Sequence, residues 1–437
     1  MKMRHVLAGF GVLVLAAGLA ACSGGSGDSS GGDAFAGKIT GTITVLTNRT
    51  DIVNTTFKKY AKEFEKAYPG TNVKFEAITN YEQDVTTRLG SGNAGDVALI
   101  PTAVGRAQLP QFFEPLGSEA SVSKTYRFVA NQSYNGKAYG IPTYGSTMGF
   151  VYNKDVWKQA GITALPKTPS EFLDDLKQIK SKTSATPYYT NYHDQWPLSQ
   201  WNGDSGLTNN VDAVNDLNTN KAPWSGKTYV NISDSLLFDI VHDGLSEVDP
   251  TTTAWESSKG YLAQGQIATM YLGSWAITQM QDAATKAGKS ADSIGYMPFP
   301  YQVKGTYYAA LAPDYLQGVT KASKNKPTAY AWANWFAKKS GYADLNGGVG
   351  ATVGSKNPAT LNNFAKLGVK YVEQAPAPKG KENLQNQIMK ESQIDLSGGI
   401  YRQKLVDVAR GAASGTKASY FASLNQAWGQ AVADNAG

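Results

Sequence analysis

The chain of 437 residues contains one cysteine, Cys22, and three histidines. With no second thiol it can form no internal disulfide bond, so the stability of the fold must come from buried cores. The histidines form no His-x-x-x-His pair, and no cysteine cluster accompanies them. We therefore expect neither a metal site nor a cofactor.

Charged residues are neither abundant nor clustered. They make up 17% of the chain, and 41 basic residues against 35 acidic ones give a formal net charge of +6. The longest basic runs are pairs such as Lys58-Lys59 and Lys338-Lys339, which are too short for a nucleic-acid-binding patch. No apolar run after residue 21 approaches the roughly 20 residues of a membrane-spanning helix. The sequence therefore indicates a globular protein that binds no nucleic acid, and its length predicts two domains.

The N-terminus does contain one long apolar stretch, residues 6–21, which ends at Cys22. Lys2 and Arg4 precede it, which is the pattern of an export signal. The Leu-Ala-Ala-Cys tetrad at residues 19–22 resembles a bacterial lipobox. That resemblance implies cleavage before Cys22, acylation of its thiol and attachment to a membrane. The alternative is a cleaved secretory signal with an incidental cysteine.

A segment made almost entirely of Ser and Gly, residues 23–32, follows the cysteine and is typical of a flexible tether. We therefore assign residues 1–21 to a lipoprotein signal peptide and residues 22–37 to the tether. This arrangement is that of a protein held by lipid on the extracellular face of a Gram-positive cell membrane. In a Gram-negative cell the same anchor would place the protein in the periplasm.

Beyond the tether, short strands alternate with helices. A β-like run at residues 43–46 is followed by apolar residues at helical spacing over residues 57–67. Such βαβ units predict an α/β fold with a mostly parallel, doubly wound sheet, whose ligands bind at the carboxyl ends of the strands. Asn48, Arg49 and Asp51 follow the first strand at such an edge, so we predict that they form hydrogen bonds to a ligand. Ordinary solvation of a loop is the alternative.

Several short segments follow one another in a characteristic order. They are Gly-Asp-Val at 95–97, Tyr-Gly-Ile-Pro at 139–142, Gly-Phe-Val-Tyr-Asn-Lys at 149–154, Thr-Pro-Ser-Glu-Phe at 168–172, Gly-Gln-Ile-Ala-Thr-Met-Tyr-Leu-Gly-Ser-Trp at 265–275 and Pro-Phe-Pro at 298–300. Over most of residues 40–350 the chain resembles the extracellular solute-binding proteins, family 1, of carbohydrate ABC importers.

That resemblance implies a two-lobed, periplasmic-binding-protein-like α/β fold of type II, with the ligand in a cleft between the lobes. One lobe would comprise residues 38–145 and 311–350, and the other residues 146–310 and 351–437. Members of the family close around a sugar by hinge motion and then dock on a membrane ABC permease. The function implied is high-affinity capture and delivery of a carbohydrate, without catalysis, by a protein that we expect to be monomeric.

Aromatic residues supply the chemistry that a sugar site needs, because sugars present apolar C–H faces edged by hydroxyls. The chain has nine Trp, 24 Tyr and 15 Phe. Trp196 and Trp201 lie in a polar, loop-like stretch and Trp255 follows a run of threonines, so we predict ligand contacts for all three, with packing as the alternative. The resemblance implies that Trp275, in the Gly-Ser-Trp segment, stacks on a sugar ring.

Three further candidates lie where the chain is expected to cross between the lobes. Tyr144 is on the presumed first crossing, and Asp314 and Tyr315 are on the second, so their side chains would face a ligand from the hinge. As alternatives, Tyr315 packs under the next strand and Asp314 caps a turn. The Ala-rich sequence of residues 309–315 departs from the Gly-rich segment that is usual in the family, which leaves the contacts of the second crossing open.

Other functions stay open at this point. A surface-anchored glycoside hydrolase needs a pair of carboxylates with no fixed sequence signature, and the candidates are Glu76, Glu82, Asp194 and Asp204. Two further alternatives are an adhesin and a binding protein for a solute other than a sugar. Among sugars, the supply of aromatic residues and the polar stretch of residues 188–224 favour a ligand of two to four rings.

Overall fold

The computed structural model describes residues 35–435. The predicted signal peptide, the predicted lipid anchor Cys22 and residues 22–34 of the predicted tether lie outside these residues. In the part of the chain that is described, no helix combines the length and the apolar character needed to cross a membrane.

The described residues form fourteen strands. In chain order they are β1 (Gly41–Thr47), β2 (Thr71–Ala77), β3 (Val97–Leu99), β4 (Gly117–Ser118), β5 (Ser133–Tyr134), β6 (Lys137–Ala138), β7 (Tyr144–Asn153), β8 (Thr269–Gly273), β9 (Ile294–Met297), β10 (Gln302–Val303), β11 (Thr306–Asp314), β12 (Gln317–Val319), β13 (Val349–Gly350) and β14 (Lys370–Val372).

Seventeen α-helices complete the described fold, joined by turns, short 3-10 segments and a π-helical segment, Val53–Phe57. They are α1 (Lys58–Ala67), α2 (Tyr81–Ser91), α3 (Leu109–Phe112), α4 (Glu119–Val122), α5 (Lys154–Gln159), α6 (Pro169–Lys182), α7 (Trp196–Ser199), α8 (Ala213–Leu217), α9 (Tyr229–His242), α10 (Trp255–Ala263), α11 (Ala276–Lys286), α12 (Lys326–Lys339), α13 (Tyr342–Leu345), α14 (Asn362–Lys366), α15 (Leu384–Ser392), α16 (Ile400–Ala409) and α17 (Lys417–Asp434).

The first lobe is built on a four-stranded sheet in the order β12-β3-β1-β2, in which β1 runs parallel to β2 and β3 and β12 is antiparallel. The helical spacing of apolar residues in α1 places Tyr60, Ala61 and Phe64 on its buried face. Phe64 packs edge-on against Trp332 of α12, with ring centroids 5.3 Å apart. The parallel α/β sheet expected from the N-terminal sequence is confirmed in this lobe.

The second lobe is organised around β7, which pairs antiparallel with β8 and β9. Successive side chains of a strand point to opposite faces, and Phe150 and Val151 accordingly belong to two different hydrophobic clusters. Helices α9, α16 and α17 pack on the cluster that contains Phe150. The sheet is mostly antiparallel, in contrast to the parallel pattern predicted from the first hundred residues.

Three strands run side by side where the lobes meet. Gly145 of β7 lies opposite Pro313 of β11 on one side and Val349 of β13 on the other. A side chain at position 145 would collide with Phe128, since a Cβ there would be 2.8 Å from its ring. These three strands belong to one seven-stranded sheet, whereas the crossings and the lobe limits at residues 145, 310 and 350 stay a prediction.

Candidate functional site

Three tryptophans from separate parts of the chain come together in the second lobe. Trp196 begins α7, Trp255 begins α10, and Trp275 lies between β8 and α11. Their ring centroids are 5.1 to 5.8 Å apart, and their planes are inclined by 46° to 79°. All three side chains are partly exposed. We call Trp196, Trp255 and Trp275 the tryptophan cluster.

The indole N–H groups of the tryptophan cluster differ from those of the core tryptophans. The buried tryptophans each donate to an acceptor of the protein, and they are Trp157, Trp201, Trp224, Trp332 and Trp428. Within residues 35–435, none of the three cluster indoles has a protein acceptor. Buried indoles usually find a partner within the protein. Because the indoles of the tryptophan cluster are partly exposed and have no such partner, they offer a ligand both apolar ring surface and free N–H donors.

The local backbone fixes the rings of the cluster. Gly273 is required next to Trp275, because a Cβ at this position would be 2.3 Å from the indole nitrogen Nε1. The backbone N–H of Trp255 donates to the carboxylate of Asp194 at 2.5 Å, which joins α10 to the loop before Trp196. The Lys259 ammonium lies 5.0 Å from the centroid of the Trp255 ring, in a cation–π contact that occupies part of this ring.

The loop after β1 in the first lobe carries an ion pair. Arg49 donates to both carboxylate oxygens of Asp51 at 2.8 Å, and its Nη1 also donates to Tyr342 Oη at 3.1 Å and Asn346 Oδ1 at 2.6 Å. These bonds use four of the five N–H groups of a guanidinium. The Arg49 side chain is 14% exposed, whereas that of Asp51 is 45% exposed. Asp51 is therefore the member of the pair that faces solvent.

The electrostatic surroundings keep Asp51 ionised. Partial burial alone would raise its pKa, but the hydrogen bonds and charge of Arg49, together with the charge of Lys259, hold the pKa below its usual range. Lys259 belongs to the second lobe and contacts Trp255. The ammonium that contacts Trp255 therefore also helps to keep Asp51 ionised.

The backbones of the two halves of the site lie close together at Gly347. Asn346, which binds Arg49, is followed by Gly347, where a Cβ would be 2.9 Å from the carbonyl oxygen of Ser274. Ser274 directly precedes Trp275. The Arg49–Asp51 pair and the tryptophan cluster thus flank one region at the junction of the lobes, and we take this region as the candidate site.

Trp201 does not belong to the site. It is 1% exposed, donates its indole N–H to Tyr188 Oη at 3.1 Å and packs on Tyr271 with ring centroids 4.7 Å apart. Its ring has no free face for a sugar, so the predicted ligand contact is wrong for Trp201. The packing alternative is the one that the structure shows.

The tyrosines at the crossings are also packed inside. Tyr144 is 3% exposed and Tyr315 is 6% exposed. The Tyr315 hydroxyl lies 2.7 Å from Thr47 Oγ1, and its ring stacks on Phe336. The prediction that these two side chains contact ligand is therefore wrong, because both are buried.

Two polar candidates are at least partly exposed. Asp314 is partly exposed and accepts a hydrogen bond from the Tyr315 backbone N–H at 2.7 Å, which is the turn-capping role. Burial raises the pKa of Asp314, while this hydrogen bond, the neighbouring Tyr144 hydroxyl and the charge of Arg49 oppose the rise. Asn48 is exposed, beside the Arg49–Asp51 pair. A ligand contact of either side chain stays a prediction.

The carboxylates considered for hydrolysis each have a separate structural role. Glu76 pairs with Arg88, and Glu82 accepts hydrogen bonds from Thr102. The two candidates in the second lobe are Asp194 and Asp204. Asp194 accepts a hydrogen bond from the Trp255 backbone N–H. Asp204 is 0% exposed and accepts hydrogen bonds from Tyr271 Oη and the Ala310 backbone N–H. Burial raises the pKa of Asp204 to about 7.

Some residues of the site were missed by the sequence reading. Lys259, Gly273 and Asn346 were not singled out, although Gly273 belongs to the Gly-Ser-Trp segment. The spacing of Trp255 and Lys259 by four positions on a helix is a signal that could have identified the cation–π pair. Asn346 carries no such signal, because its partner Arg49 is 297 positions away.

Comparison with known proteins identifies relatives over most of the chain. A family model described as bacterial extracellular solute-binding protein matches residues 50–343. A manno-oligosaccharide specific solute binding protein from Bifidobacterium animalis subsp. lactis, in complex with mannotriose, is 34% identical with a TM-score of 0.85, covering 91% of this chain and 95% of the other. A second binding protein of an ABC transporter from that organism, in complex with mannobiose, is 36% identical with a TM-score of 0.85, covering 91% and 96%.

A curated relative from Streptomyces coelicolor is described as a diacetylchitobiose binding protein. It is 33% identical over 199 residues, which is 43% of this chain, and the match spans 45% of the length of that relative. The structural likeness and the family model together cover both lobes and all three members of the tryptophan cluster.

Proposed function

The chain belongs to the bacterial extracellular solute-binding proteins, and we propose that it captures an oligosaccharide outside the cell and delivers it to the permease of an ABC importer. The observation that carries this proposal is the tryptophan cluster, with three partly exposed rings and three indole donors free of protein acceptors within the described residues. A sugar offers the matching surface, since its C–H faces pack on aromatic rings and its hydroxyls accept indole N–H groups.

Each member of the site has a distinct role in this proposal. Trp275 and Trp196 supply ring faces, while Trp255, whose ring is already in contact with Lys259, forms a wall beside them. Asp51 accepts hydrogen bonds from sugar hydroxyls, and Arg49 positions Asp51 because its donors are engaged within the protein. Ionised acceptors form stronger hydrogen bonds than neutral ones, so the lowered pKa of Asp51 favours this role.

Closure of the lobes brings the two faces of the site together. The bending segments are the three strands at the junction, β7, β11 and β13, which pair at Gly145. Hinges are a few residues that absorb the change in backbone angles while the lobes move as rigid bodies. Asp51 then approaches the tryptophan cluster from the opposite lobe and encloses the sugar, and the closed form is the one that the permease recognises.

Manno-oligosaccharides of two to four rings are the proposed ligands. Two structural relatives with more than 30% identity are described in complex with mannobiose or mannotriose, over more than 90% of this chain. The three neighbouring tryptophans of this chain provide aromatic surface for more than one ring. A chitin-derived disaccharide is the alternative suggested by the Streptomyces relative.

The test is calorimetric titration of the protein with mannose, mannobiose, mannotriose, mannotetraose and diacetylchitobiose, followed by chromatography of each mixture. We expect one-to-one binding of an unaltered manno-oligosaccharide that is tighter than binding of mannose. Shortened products would support the hydrolase instead. Heat with diacetylchitobiose alone would change the proposed sugar, and no heat with any sugar would refute the carbohydrate proposal.

We further propose that Cys22 is acylated and holds the protein on the extracellular face of the membrane of a Gram-positive cell, as a monomer. Support comes from the lipobox-like tetrad and the Ser/Gly tether in the sequence. Expression with a labelled fatty acid should give a labelled, membrane-bound protein, and the Cys22→Ser variant should be unlabelled. A labelled variant, or an unlabelled wild type, would contradict the anchor.

A further inference from the structure

The loop that delivers Trp196 has an unusual backbone. Asn191 and Gln195, at its two ends, have φ angles of +54° and +60°, in the region that residues other than glycine rarely adopt. Gln195 combines this φ with a ψ of −52°, close to the rare γ-turn geometry. Such conformations persist only where the surrounding structure holds them in place. Residues 190–195 therefore need anchors.

One anchor is the carboxylate of Glu247. The backbone N–H of Thr190 donates to its two oxygens at 3.0 and 2.9 Å, and the Thr190 hydroxyl donates to Oε1. Thr190 is 2% exposed. In the described part of the chain, no lysine, arginine or histidine forms an ion pair with Glu247. The carboxylate is thus held by donors from the loop and not by a cation.

The opposite end of the loop is tied to the tryptophan cluster. The His193 backbone N–H donates to Thr253 Oγ1 at 3.0 Å, and Asp194 accepts from the Trp255 backbone N–H. The loop then enters α7 at Trp196. A displacement of Thr190 is therefore transmitted over a few residues to the positions of both Trp196 and Trp255.

Glu247 gains or loses a proton near neutral pH. Burial raises its pKa to about 7, although the hydrogen bonds from Thr190 oppose the rise. The titratable groups that sense its charge are Tyr188 and Tyr189. Burial raises the pKa of Tyr189 to about 12 and also raises that of Tyr188, so both stay neutral over this range. Protonation of Glu247 places a hydrogen against the donors of Thr190 and weakens the anchor.

We propose that Glu247 is a positioning residue for the sugar site, which fixes the loop of residues 190–195 and through it the rings of Trp196 and Trp255. This inference rests on the proposed function, because it assigns to the tryptophan cluster the role of binding sugar. Its consequence is that the affinity for sugar falls as the pH falls below about 7.

The test compares the purified wild type with Glu247→Gln at pH 8.5 and pH 5.5, by calorimetric titration with mannotriose. We expect wild type to bind about tenfold more weakly at pH 5.5. Glu247→Gln should be about as weak as this at both values, because its amide group cannot accept all three hydrogen bonds at any pH. Asp204→Asn is the matched control, because Asp204 also titrates near neutrality but binds Tyr271 and Ala310. It should keep the wild-type pH profile.

Thr190→Val and Thr190→Ser keep the test valid if Glu247→Gln fails to fold. The valine variant removes the hydroxyl donor and retains the carboxylate, so it should bind more weakly, whereas the serine variant should match wild type. In ligand-free protein, iodide should quench tryptophan fluorescence more at pH 5.5 than at pH 8.5 in wild type, and equally in Glu247→Gln.

Wild-type affinity in Glu247→Gln at pH 8.5, or a wild-type pH profile in that variant, would overturn the inference while leaving the proposed function intact. Loss of the pH profile in Asp204→Asn would assign the effect to Asp204 and also overturn it. If wild type bound no sugar at either pH, the proposed function would fail first, and Glu247 would have no sugar site to position.

Discussion

Trp201 and Trp275 allow a direct comparison between a tryptophan of the core and a tryptophan of the candidate site. Trp201 is 1% exposed, bonded to Tyr188 and surrounded by aromatic rings, so replacement by alanine removes a large buried side chain and leaves a cavity. Such substitutions cost about 3–5 kcal/mol of unfolding free energy. Because Trp201 has no free face, the affinity of the folded variant for sugar should stay within about threefold of wild type.

Trp275→Ala should show the opposite pattern. The side chain is partly exposed and its indole N–H has no acceptor in the described part of the protein, so the loss of stability should be about 1 kcal/mol. Central aromatic contacts of a binding site commonly contribute about 2 kcal/mol or more, which is about thirtyfold in Kd. Urea denaturation followed by circular dichroism gives the stabilities, and calorimetric titration with mannotriose gives the affinities.

The comparison has a clear contrary outcome. If Trp275→Ala were destabilised as much as Trp201→Ala and bound sugar like wild type, the tryptophan cluster would be a packing feature and the site would lie elsewhere. If Trp201→Ala had wild-type stability and no affinity, its assignment to the core would be wrong. Trp335→Ala is a useful control, because this partly buried ring packs on Trp332 in the first lobe, away from the site.

Three further predictions concern charged groups. Asp234→Asn should lower the free energy of unfolding by about 3–5 kcal/mol in urea denaturation without changing sugar affinity, because Asp234 and Arg402 are both 0% exposed and 2.8 Å apart. A loss below about 1 kcal/mol would show that this buried ion pair does not stabilise the core. Arg49→Met should weaken mannotriose binding about tenfold in calorimetry, since Asp51 loses the donors that hold it, and unchanged affinity would exclude the positioning role. Burial raises the pKa of Asp204 to about 7, so ionisation of Asp204 destabilises the folded state. Wild type therefore loses stability as the pH rises from 4 to 7, and Asp204→Asn does not. The stability of Asp204→Asn relative to wild type should increase over this range by up to about 1.4 kcal/mol per pH unit. Parallel pH profiles of the two proteins in urea denaturation would show that Asp204 is not the responsible group.

Local sequence accounts for those elements whose geometry is determined by neighbouring residues. Thr168 caps α6 by accepting from the Glu171 backbone N–H at 3.2 Å, with Pro169 at the first helical position. The Glu171 carboxylate accepts from the Lys167 backbone N–H instead of that of Thr168, so only half of a capping box is formed. The Asn135-Gly136 pair joins β5 to β6 with φ angles of +49° and +72°, which is the geometry that such a hairpin requires. Both features are encoded within four residues.

Local sequence could not separate site residues from core residues in the same segment. Trp196 and Trp201 share one polar stretch, yet Trp201 is enclosed by Phe150, Tyr271 and Phe299, which come from distant parts of the chain. Burial of this kind depends on the tertiary arrangement and leaves no mark in neighbouring residues. The bonds of Arg49 to Tyr342 and Asn346 could not be predicted for the same reason, because these partners are nearly three hundred positions away, and a ligand contact of Arg49 stays a prediction.

The family resemblance pointed to the candidate region, which periodicity did not do. The Gly-Ser-Trp segment placed Trp275 in the candidate site, and the model of bacterial extracellular solute-binding proteins matches residues 50–343. Periodicity predicted the parallel sheet of the first lobe but not the antiparallel arrangement around β7. Long-range antiparallel pairing is set by packing on both faces of the strand, and alternation of apolar residues disappears when both faces are buried.

The most direct test of the central claim is a crystal structure of the protein with mannotriose bound. We predict a sugar ring stacked on Trp275 or Trp196, with a hydroxyl hydrogen-bonded to Asp51 and with Arg49 still bonded to Asp51, Tyr342 and Asn346. A sugar bound with all three members of the tryptophan cluster outside van der Waals contact, or with Asp51 facing solvent in the closed form, would contradict the account.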